Sequence, residues 1–277
     1  MSDLKLAAVI GWPIHHSRSP KLHGHWLKQY GISGTYIALP IRPDDLADCL
    51  PRLPKMGFTG CNLTIPHKEI VLPLVDEIDA AARAVGAVNT VTFRDGRIFG
   101  TNTDVYGFME YLRASVPGFR TDAGPAVVLG AGGASRAVLY GLAEAGAREI
   151  RVVNRSKARA EALIQHFARP GLTLHAVDEA GAVEALAGAA LLVNATSLGM
   201  TGQPDHTITL DGLAAGAIVY DLVYSPLETS LLRQAKARGL RTVDGLGMLL
   251  YQAKPAFERF FGVTPEIDDA LRAAVLA

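Results

Sequence analysis

The chain has 277 residues, 49% of them apolar and 19% charged, with 27 Lys plus Arg against 27 Asp plus Glu. That length suits two domains or one large one, with enough apolar material for a substantial core. A formal net charge of zero, with Lys and Arg scattered along the sequence, argues against a nucleic-acid footprint or attraction to acidic membranes.

In chain order, residues 4–10 form a predicted strand that ends at Gly11-Trp12-Pro13. Ser19 before Pro20 reads as an N-cap with proline at the first helical position, opening a helix that runs to about residue 30. A strand at 35–39, a short helix at 43–50 and a strand at 57–63 follow, the last stopping at Thr64-Ile65-Pro66-His67-Lys68. Helices are expected at 67–74 and 78–85. Strands at 87–93 and 97–100 flank Asp95-Gly96, a hairpin turn signal, and Thr103 is expected to cap a helix reaching residue 114. Strand alternates with helix throughout, which predicts a mostly parallel sheet with one antiparallel hairpin strand. The turn-rich stretch 115–125 marks the change to the second half.

That half is more regular. Strands at 126–129, 149–153, 172–176, 190–194 and 217–221 alternate with helices at 134–145, 156–167, 180–186 and 227–238, and a short strand at 241–243 closes the series. This is the doubly wound βα pattern of a Rossmann-type domain. Apolar helices at 248–260 and 265–276 have no strand partners and are expected to pack back on the first domain, making it discontinuous in sequence.

The first strand of the second half runs into Gly130-Ala131-Gly132-Gly133-Ala134-Ser135. A buried strand, a glycine-rich turn and a helix in that order make a phosphate site, because glycines let the backbone approach and helix N-terminal N–H groups attract negative charge. The third glycine of the usual dinucleotide fingerprint is Ser135 here. In the NAD version of this fold an acidic residue about 20 positions later holds the ribose 2′-hydroxyl. This chain instead has Asn154-Arg155-Ser156-Lys157-Ala158-Arg159. Cations at a helix start oppose its dipole, whereas a guanidinium grips a 2′-phosphate, so NADP is the expected cofactor.

In the first half, small polar residues fall at predicted strand ends, where open α/β sheets place their ligands: Ser17, Ser19, Asn62, Thr64, Asn89 and Thr103-Asp104. Singly, each has a structural explanation as a cap or solvent contact. Together they suit a small ligand with several hydroxyls and a carboxylate. Lys68 and Asp104 are the candidate acid/base pair: a ketone that gains a hydride becomes an alkoxide, which a lysine ammonium oriented by a carboxylate can protonate. His67, the competing acid/base, sits at a helix start, where a structural role is favoured. No metal site is expected, since His15, His16, His23 and His25 are joined by no carboxylate or cysteine at ligand spacing. Cys49 and Cys61, without a C-x-x-C, read as reduced thiols of a cytosolic protein. No apolar stretch approaches the roughly 20 residues of a membrane span, and no secretory-type segment opens the chain, so a cytoplasmic location is expected.

Several blocks in order resemble the shikimate dehydrogenase family over essentially the whole chain. They include Ser17-Arg18-Ser19-Pro20-Lys21-Leu22-His23, Asn62-Leu63-Thr64-Ile65-Pro66-His67-Lys68, Gly86-Ala87-Val88-Asn89-Thr90 and Asn102-Thr103-Asp104. The glycine loop, the Asn154-Arg155 block, Asn194-Ala195-Thr196-Ser197-Leu198-Gly199-Met200 and Asp221-Leu222-Val223-Tyr224 continue the series. Gly24 stands where the family usually has asparagine. The resemblance implies an NADP-dependent enzyme interconverting 3-dehydroshikimate and shikimate in aromatic amino-acid biosynthesis. It implies a substrate domain at 1–106 plus 247–277, an NADP domain at 107–246, and a monomer or homodimer. Ser17 and Ser19 would hold the substrate carboxylate, and Asn62, Thr64, Asn89, Asp104, Tyr224 and Gln252 its ring hydroxyls. Lys68 and Asp104 would be catalytic. Gly130, Ala131, Gly132, Gly133, Ala134, Asn154, Arg155, Ser156 and Arg159 would bind the cofactor, with Thr196, Gly245 and Met248 along the nicotinamide. Rival readings are an NAD-using quinate/shikimate dehydrogenase, whose usual aspartate near position 155 is absent, and a non-catalytic NADP-binding regulator, which should lack Lys68 or Asp104. A methylene-folate-type dehydrogenase would lack the paired serines.

Overall fold

In the computed structural model, which describes residues 4–277, the chain separates into two units, Met1–Gly107 with Leu249–Ala277 and Phe108–Met248. The first begins with β1 (Lys5–Gly11), α1 (Ser19–Gln29), β2 (Gly34–Pro40), α2 (Leu46–Cys49), β3 (Phe58–Leu63), α3 (His67–Ile70), β4 (Glu77–Ile78), α4 (Ala80–Val85), β5 (Thr90–Arg94) and β6 (Arg97–Thr101). Its six-stranded sheet has the order β2-β1-β3-β5-β6-β4. Only β5 runs against its neighbours, pairing antiparallel with β3 and β6 while the other pairings are parallel. The reversal is local in origin: Asp95 and Gly96 both have positive φ (52° and 71°), the two-residue turn whose twist suits a hairpin.

Both faces of this sheet are covered, so its central strand is apolar on successive residues rather than alternate ones. Ala8 and Ile10 of β1 enter a core with Leu46, Leu50, Phe58, Cys61 and Leu63, while Ala7 and Val9 are buried on the opposite face. On that opposite face His23, Trp26, Tyr36, Phe257 and Phe260 form a cluster of rings.

α5 (Asp104–Ser115) contains the division between units, at Gly107/Phe108, ahead of the turn-rich stretch that marks the change in sequence. The second unit follows with β7 (Ala126–Leu129), α6 (Gly133–Glu144), β8 (Glu149–Val153), α7 (Lys157–Phe167), β9 (Thr173–Val177), α8 (Ala182–Ala185), β10 (Leu191–Asn194), β11 (Ile218–Asp221), α9 (Ser230–Ala237) and β12 (Arg241–Val243). All six strands are parallel in the order β12-β11-β10-β7-β8-β9. The direction of winding reverses between β7 and β10, the point where such sheets open a crevice at their carboxyl ends. α10 (Gly245–Phe261) begins in this unit and ends in the first, where α11 (Asp269–Leu276) also lies. Trp26 Nε1 donates to the Glu266 carbonyl at 2.9 Å and Arg18 to the Val275 carbonyl at 3.0 Å, tying the end of the chain to α1.

The α/β architecture is as the sequence predicts, with differences at particular caps. Ser19 is the first residue of α1 and not its cap; Arg18 holds that position and makes no side-chain cap bond. Thr103 does stand at the cap position of α5, its carbonyl accepting from the Gly107 N–H at 3.0 Å, but the side-chain bonds come from Asn102, whose Oδ1 accepts from the Asp104 and Val105 N–H groups at 3.1 and 3.3 Å. Both side chains predicted to serve a helix are thereby left for other bonds. The expected helix 43–50 breaks up around Pro43, Pro51 and Pro54 into one α-turn flanked by 3₁₀ turns. Ile78 belongs to β4, and α4 starts only after Asp79, whose carboxylate accepts from Ala82 N–H at 2.6 Å. Among the described residues no helix is long and apolar enough to cross a membrane.

Candidate functional site

In the first unit, the ends of β1, β3 and β6 and the stretch before β5 carry a connected set of polar side chains. Lys68 Nζ donates to Asp104 Oδ2 at 2.5 Å, with side-chain exposures of 16% and 6%. The other carboxylate oxygen, Oδ1, accepts from Asn89 Nδ2 at 2.9 Å. Asn89 lies one residue before β5, not within the strand, and its Oδ1 accepts from the Thr103 N–H at 2.8 Å. Thr103 Oγ1 stands 3.0 Å from Asn89 Nδ2, and Gln252 Oε1, from α10, is 3.4 Å from the same nitrogen. The Lys68 backbone is itself fixed, its carbonyl accepting from Val88 N–H at 2.8 Å.

Asn62, at the end of β3, joins this set from the other side. Its Nδ2 donates to Thr90 Oγ1 at 2.9 Å and to the Asn89 carbonyl at 3.2 Å, and its Oδ1 accepts from the Tyr36 phenol at 2.7 Å. Thr90 Oγ1 donates in turn to Asn89 Oδ1 at 3.1 Å. A buried ion pair costs several kcal/mol in desolvation per ion and is weak grounds for stability. Lys68 and Asp104, held by so many oriented partners at the strand ends, are therefore better explained by chemistry than by folding.

The remaining expected residues of this unit sit at the same strand ends. Ser17 Oγ accepts from the Ser19 N–H at 3.3 Å, and Thr64 N–H donates to the Ile10 carbonyl at 2.9 Å. His67 is fully buried with Nε2 against the Ile41 carbonyl at 2.9 Å, and burial lowers its pKa. That is a structural placement, in line with the sequence. His23 is buried among rings, its pKa lowered to about 3 by desolvation. Cys49 and Cys61 are both free thiols.

The second unit offers a different kind of site. Gly130 follows β7 with φ of +104°, and a Cβ there would lie 3.0 Å from Thr196 Cγ2 and 3.1 Å from the Ala195 carbonyl oxygen. Only glycine permits this close approach of the β7 and β10 loops. α6 then begins at Gly133, one residue earlier than predicted, and Ser135 is fully buried with its hydroxyl accepting from the Gly132 N–H at 3.3 Å. The residue replacing the third glycine thus serves the turn itself.

Beyond Gly130 opens a cavity of about 490 Å³ whose walls include Asn154, Arg155, Ser156, Arg159 and Thr196, with Glu179 among them. Asn154 Nδ2 donates to the Ser156 carbonyl at 2.8 Å, which shapes the turn into α7. Ser156 is the N-cap residue yet makes no side-chain cap bond, and the first turn of α7 carries no acid. A hydroxyl and two guanidiniums facing one cavity are the donor set for a phosphate monoester. The glycine approach and this donor set fit a 2′-phosphorylated dinucleotide. Residues 131–134 lie in the loop and first turn rather than on the cavity wall, and Gly245 and Met248 are buried at the start of α10. Tyr224, half-buried after β11, also belongs to this unit.

Beneath Thr196 lies a buried support. Asn194 Oδ1 accepts from Thr196 Oγ1 at 2.7 Å, while Asn194 Nδ2 donates to Asp221 Oδ1 at 2.8 Å and Thr229 Oγ1 to Asp221 Oδ2 at 2.6 Å. Burial raises the Asp221 pKa, against hydrogen bonds that lower it. Tyr36, Thr90, Asn102 and Asp221 were not singled out as site residues by sequence reasoning. Thr90, Asn102 and Asp221 fall inside motif blocks and could have been found there. Tyr36 is a strand residue with no local signal.

Comparison with known proteins accounts for both halves. A family model described as the shikimate dehydrogenase substrate binding domain matches residues 9–91, one described as shikimate/quinate 5-dehydrogenase matches 117–200, and one described as the shikimate 5′-dehydrogenase C-terminal domain matches 245–276. Shikimate dehydrogenase (NADP(+)) of Paracoccus denitrificans is 53% identical over 273 residues, covering 98% of this chain and 96% of that protein. Among solved structures, shikimate 5-dehydrogenase from Thermus thermophilus in complex with NADP(H) and shikimate has 40% identity and a TM-score of 0.85, covering 99% of this chain and 98% of that one. Quinate dehydrogenase from Corynebacterium glutamicum in complex with NAD has 34% identity and a TM-score of 0.89, covering 99% of each chain. With the strand-end polar network, the glycine turn and these full-length matches in agreement, the chain belongs to the shikimate dehydrogenase family.

Proposed function

We propose that this protein is an NADP-dependent shikimate dehydrogenase that reduces 3-dehydroshikimate reversibly to shikimate. The observation that carries the reading is the Lys68–Asp104 pair, 2.5 Å apart and oriented by Asn89 within a buried polar network. Bound NADPH supplies the hydride to the ring ketone. As charge develops on the ketone oxygen, Lys68 Nζ donates a proton to it, and in the oxidative direction takes that proton back. Asp104 keeps the Lys68 ammonium in place and accepts a substrate hydroxyl. Ser17 and Ser19 bind the carboxylate, with Asn62, Thr64, Asn89, Tyr224 and Gln252 at the hydroxyls.

In this reading the first unit holds the substrate, and the second holds the cofactor. Arg155, Ser156 and Arg159 grip its 2′-phosphate. Gly130 to Ala134 with Asn154 line the dinucleotide, and Thr196, Gly245 and Met248 line the nicotinamide. The enzyme works in the cytoplasm as a monomer or homodimer, on a small-molecule substrate and without nucleic acid or membrane. An absorbance assay of shikimate and quinate against NADP and NAD, in all four combinations, tests it. Shikimate with NADP should give the highest kcat/KM. A preference for quinate with NAD would replace the biosynthetic reading with a catabolic one.

A further inference from the structure

Tyr36 occupies a position that no recognised motif assigns. It lies on β2, 5% exposed, with its ring stacked on the His23 imidazole at 3.9 Å between centroids and 3° between planes. Its phenol donates to Asn62 Oδ1 at 2.7 Å. One hydroxyl therefore bears directly on a residue placed at a substrate ring hydroxyl. Burial raises the Tyr36 pKa well above its ordinary value, so the group stays a neutral donor. Its stacking partner does not change charge near neutrality either, since desolvation lowers the His23 pKa to about 3.

The consequence for Asn62 follows from donor and acceptor counting. A phenol has one hydrogen, and directing it at Asn62 requires the amide carbonyl, not the NH₂, to face Tyr36. The NH₂ group then spends both hydrogens on Thr90 Oγ1 and the Asn89 carbonyl. A flipped amide would set two carbonyl oxygens, those of Asn62 and Asn89, against each other at 3.2 Å. What remains to Asn62 is the second lone pair of Oδ1, so it meets a ligand only as an acceptor. The same network continues through Thr90 and Asn89 to Asp104.

We propose that Tyr36 is a positioning residue for substrate recognition, whose phenol fixes the Asn62 amide as an acceptor of a substrate hydroxyl. This rests on the functional reading above, and wild-type turnover of shikimate with NADP is the separate check on that reading. In an enzyme that passes it, Tyr36→Phe keeps the ring and its stack and removes only the hydroxyl. The KM for shikimate should rise about fivefold to twentyfold, with kcat and the KM for NADP within about twofold of wild type, as expected when a buried acceptor loses its donor. A purely structural role predicts no such split. Asn62→Ala supplies the second arm: if the phenol acts through Asn62, adding Tyr36→Phe to Asn62→Ala should change the KM by less than about twofold. Wild-type kinetics in Tyr36→Phe, equal losses in kcat and KM for both substrates, full additivity in the double variant, or failure of Tyr36→Phe to fold would each overturn the proposal.

Discussion

In the first unit the candidate site is made of side chains that hold one another. Lys68, Asp104, Asn89, Asn62, Thr90 and Tyr36 form an unbroken run of hydrogen bonds between 2.5 and 3.2 Å. In the second unit the corresponding place is made of backbone, a turn whose Gly130, at φ +104°, leaves no unstrained room for a Cβ, with exposed guanidiniums at its rim. The difference matches what each must recognise. A small polyhydroxylated ring needs directional donors and acceptors at fixed points, whereas a phosphate needs N–H groups, a helix end and positive charge, which backbone supplies without side-chain order. A connected network also transmits a change at one member to the others, while rim cations act nearly alone.

The strongest way to break the comparison is at the centre of the network. Lys68→Ala should lower kcat about 10²–10⁴-fold, the range for a lost general acid, with the KM for shikimate within a few-fold. Steady-state kinetics at saturating NADP would show it, and near-normal turnover would remove the lysine from proton transfer. A smaller and more selective effect is expected at the rim of the other unit. Arg155→Ala should lower the preference for NADP over NAD about 10- to 100-fold by raising the KM for NADP, with the KM for shikimate unchanged. An unaltered ratio of the two cofactors would displace the 2′-phosphate from this wall.

The mildest effect concerns the packing beneath the network. His23 has a folded pKa of about 3 against an ordinary 6.5. The unfolded chain therefore binds more protons between those values, and stability contributed by the neutral ring falls as pH drops below 6.5. Between pH 7 and pH 5 this amounts to about 2 kcal/mol, on the scale of about 1.4 kcal/mol per pKa unit. Both tryptophans, Trp12 and Trp26, belong to the first unit, so urea unfolding followed by their fluorescence reports that unit alone. His23→Phe should lose about 2 kcal/mol less than wild type over this pH interval. Parallel pH profiles would show that the ring is protonated without penalty.

Much of the site was legible because its members come in short blocks: Asn62 to Lys68, Asn89-Thr90, Asn102 to Asp104, and the glycine turn each place several polar groups at one strand end. What those blocks do to one another was not. Ser19 and Thr103 carry the residue types of helix caps, and local chemistry assigns them there. The structure puts Arg18 in the first of those places, takes the side-chain bonds of the second from Asn102, and turns the Thr103 hydroxyl to Asn89. Nor does local sequence distinguish Tyr36 from any other aromatic strand residue, because its partners His23 and Asn62 are brought to it by α1 and by strand register.

The sequence by itself determined the order of elements, the parallel winding, the phosphate-binding turn and the kinds of groups offered at each strand end. These follow from periodicity, glycine and turn chemistry over a few neighbouring residues. Only the tertiary structure decided the partners. Lys68 meets Asp104 across 36 positions and Asn89 meets Gln252 across 163, separations over which no local pattern carries information. It also decided the direction of each hydrogen bond, since an amide or hydroxyl can donate or accept until its burial among fixed neighbours leaves one arrangement that satisfies them all.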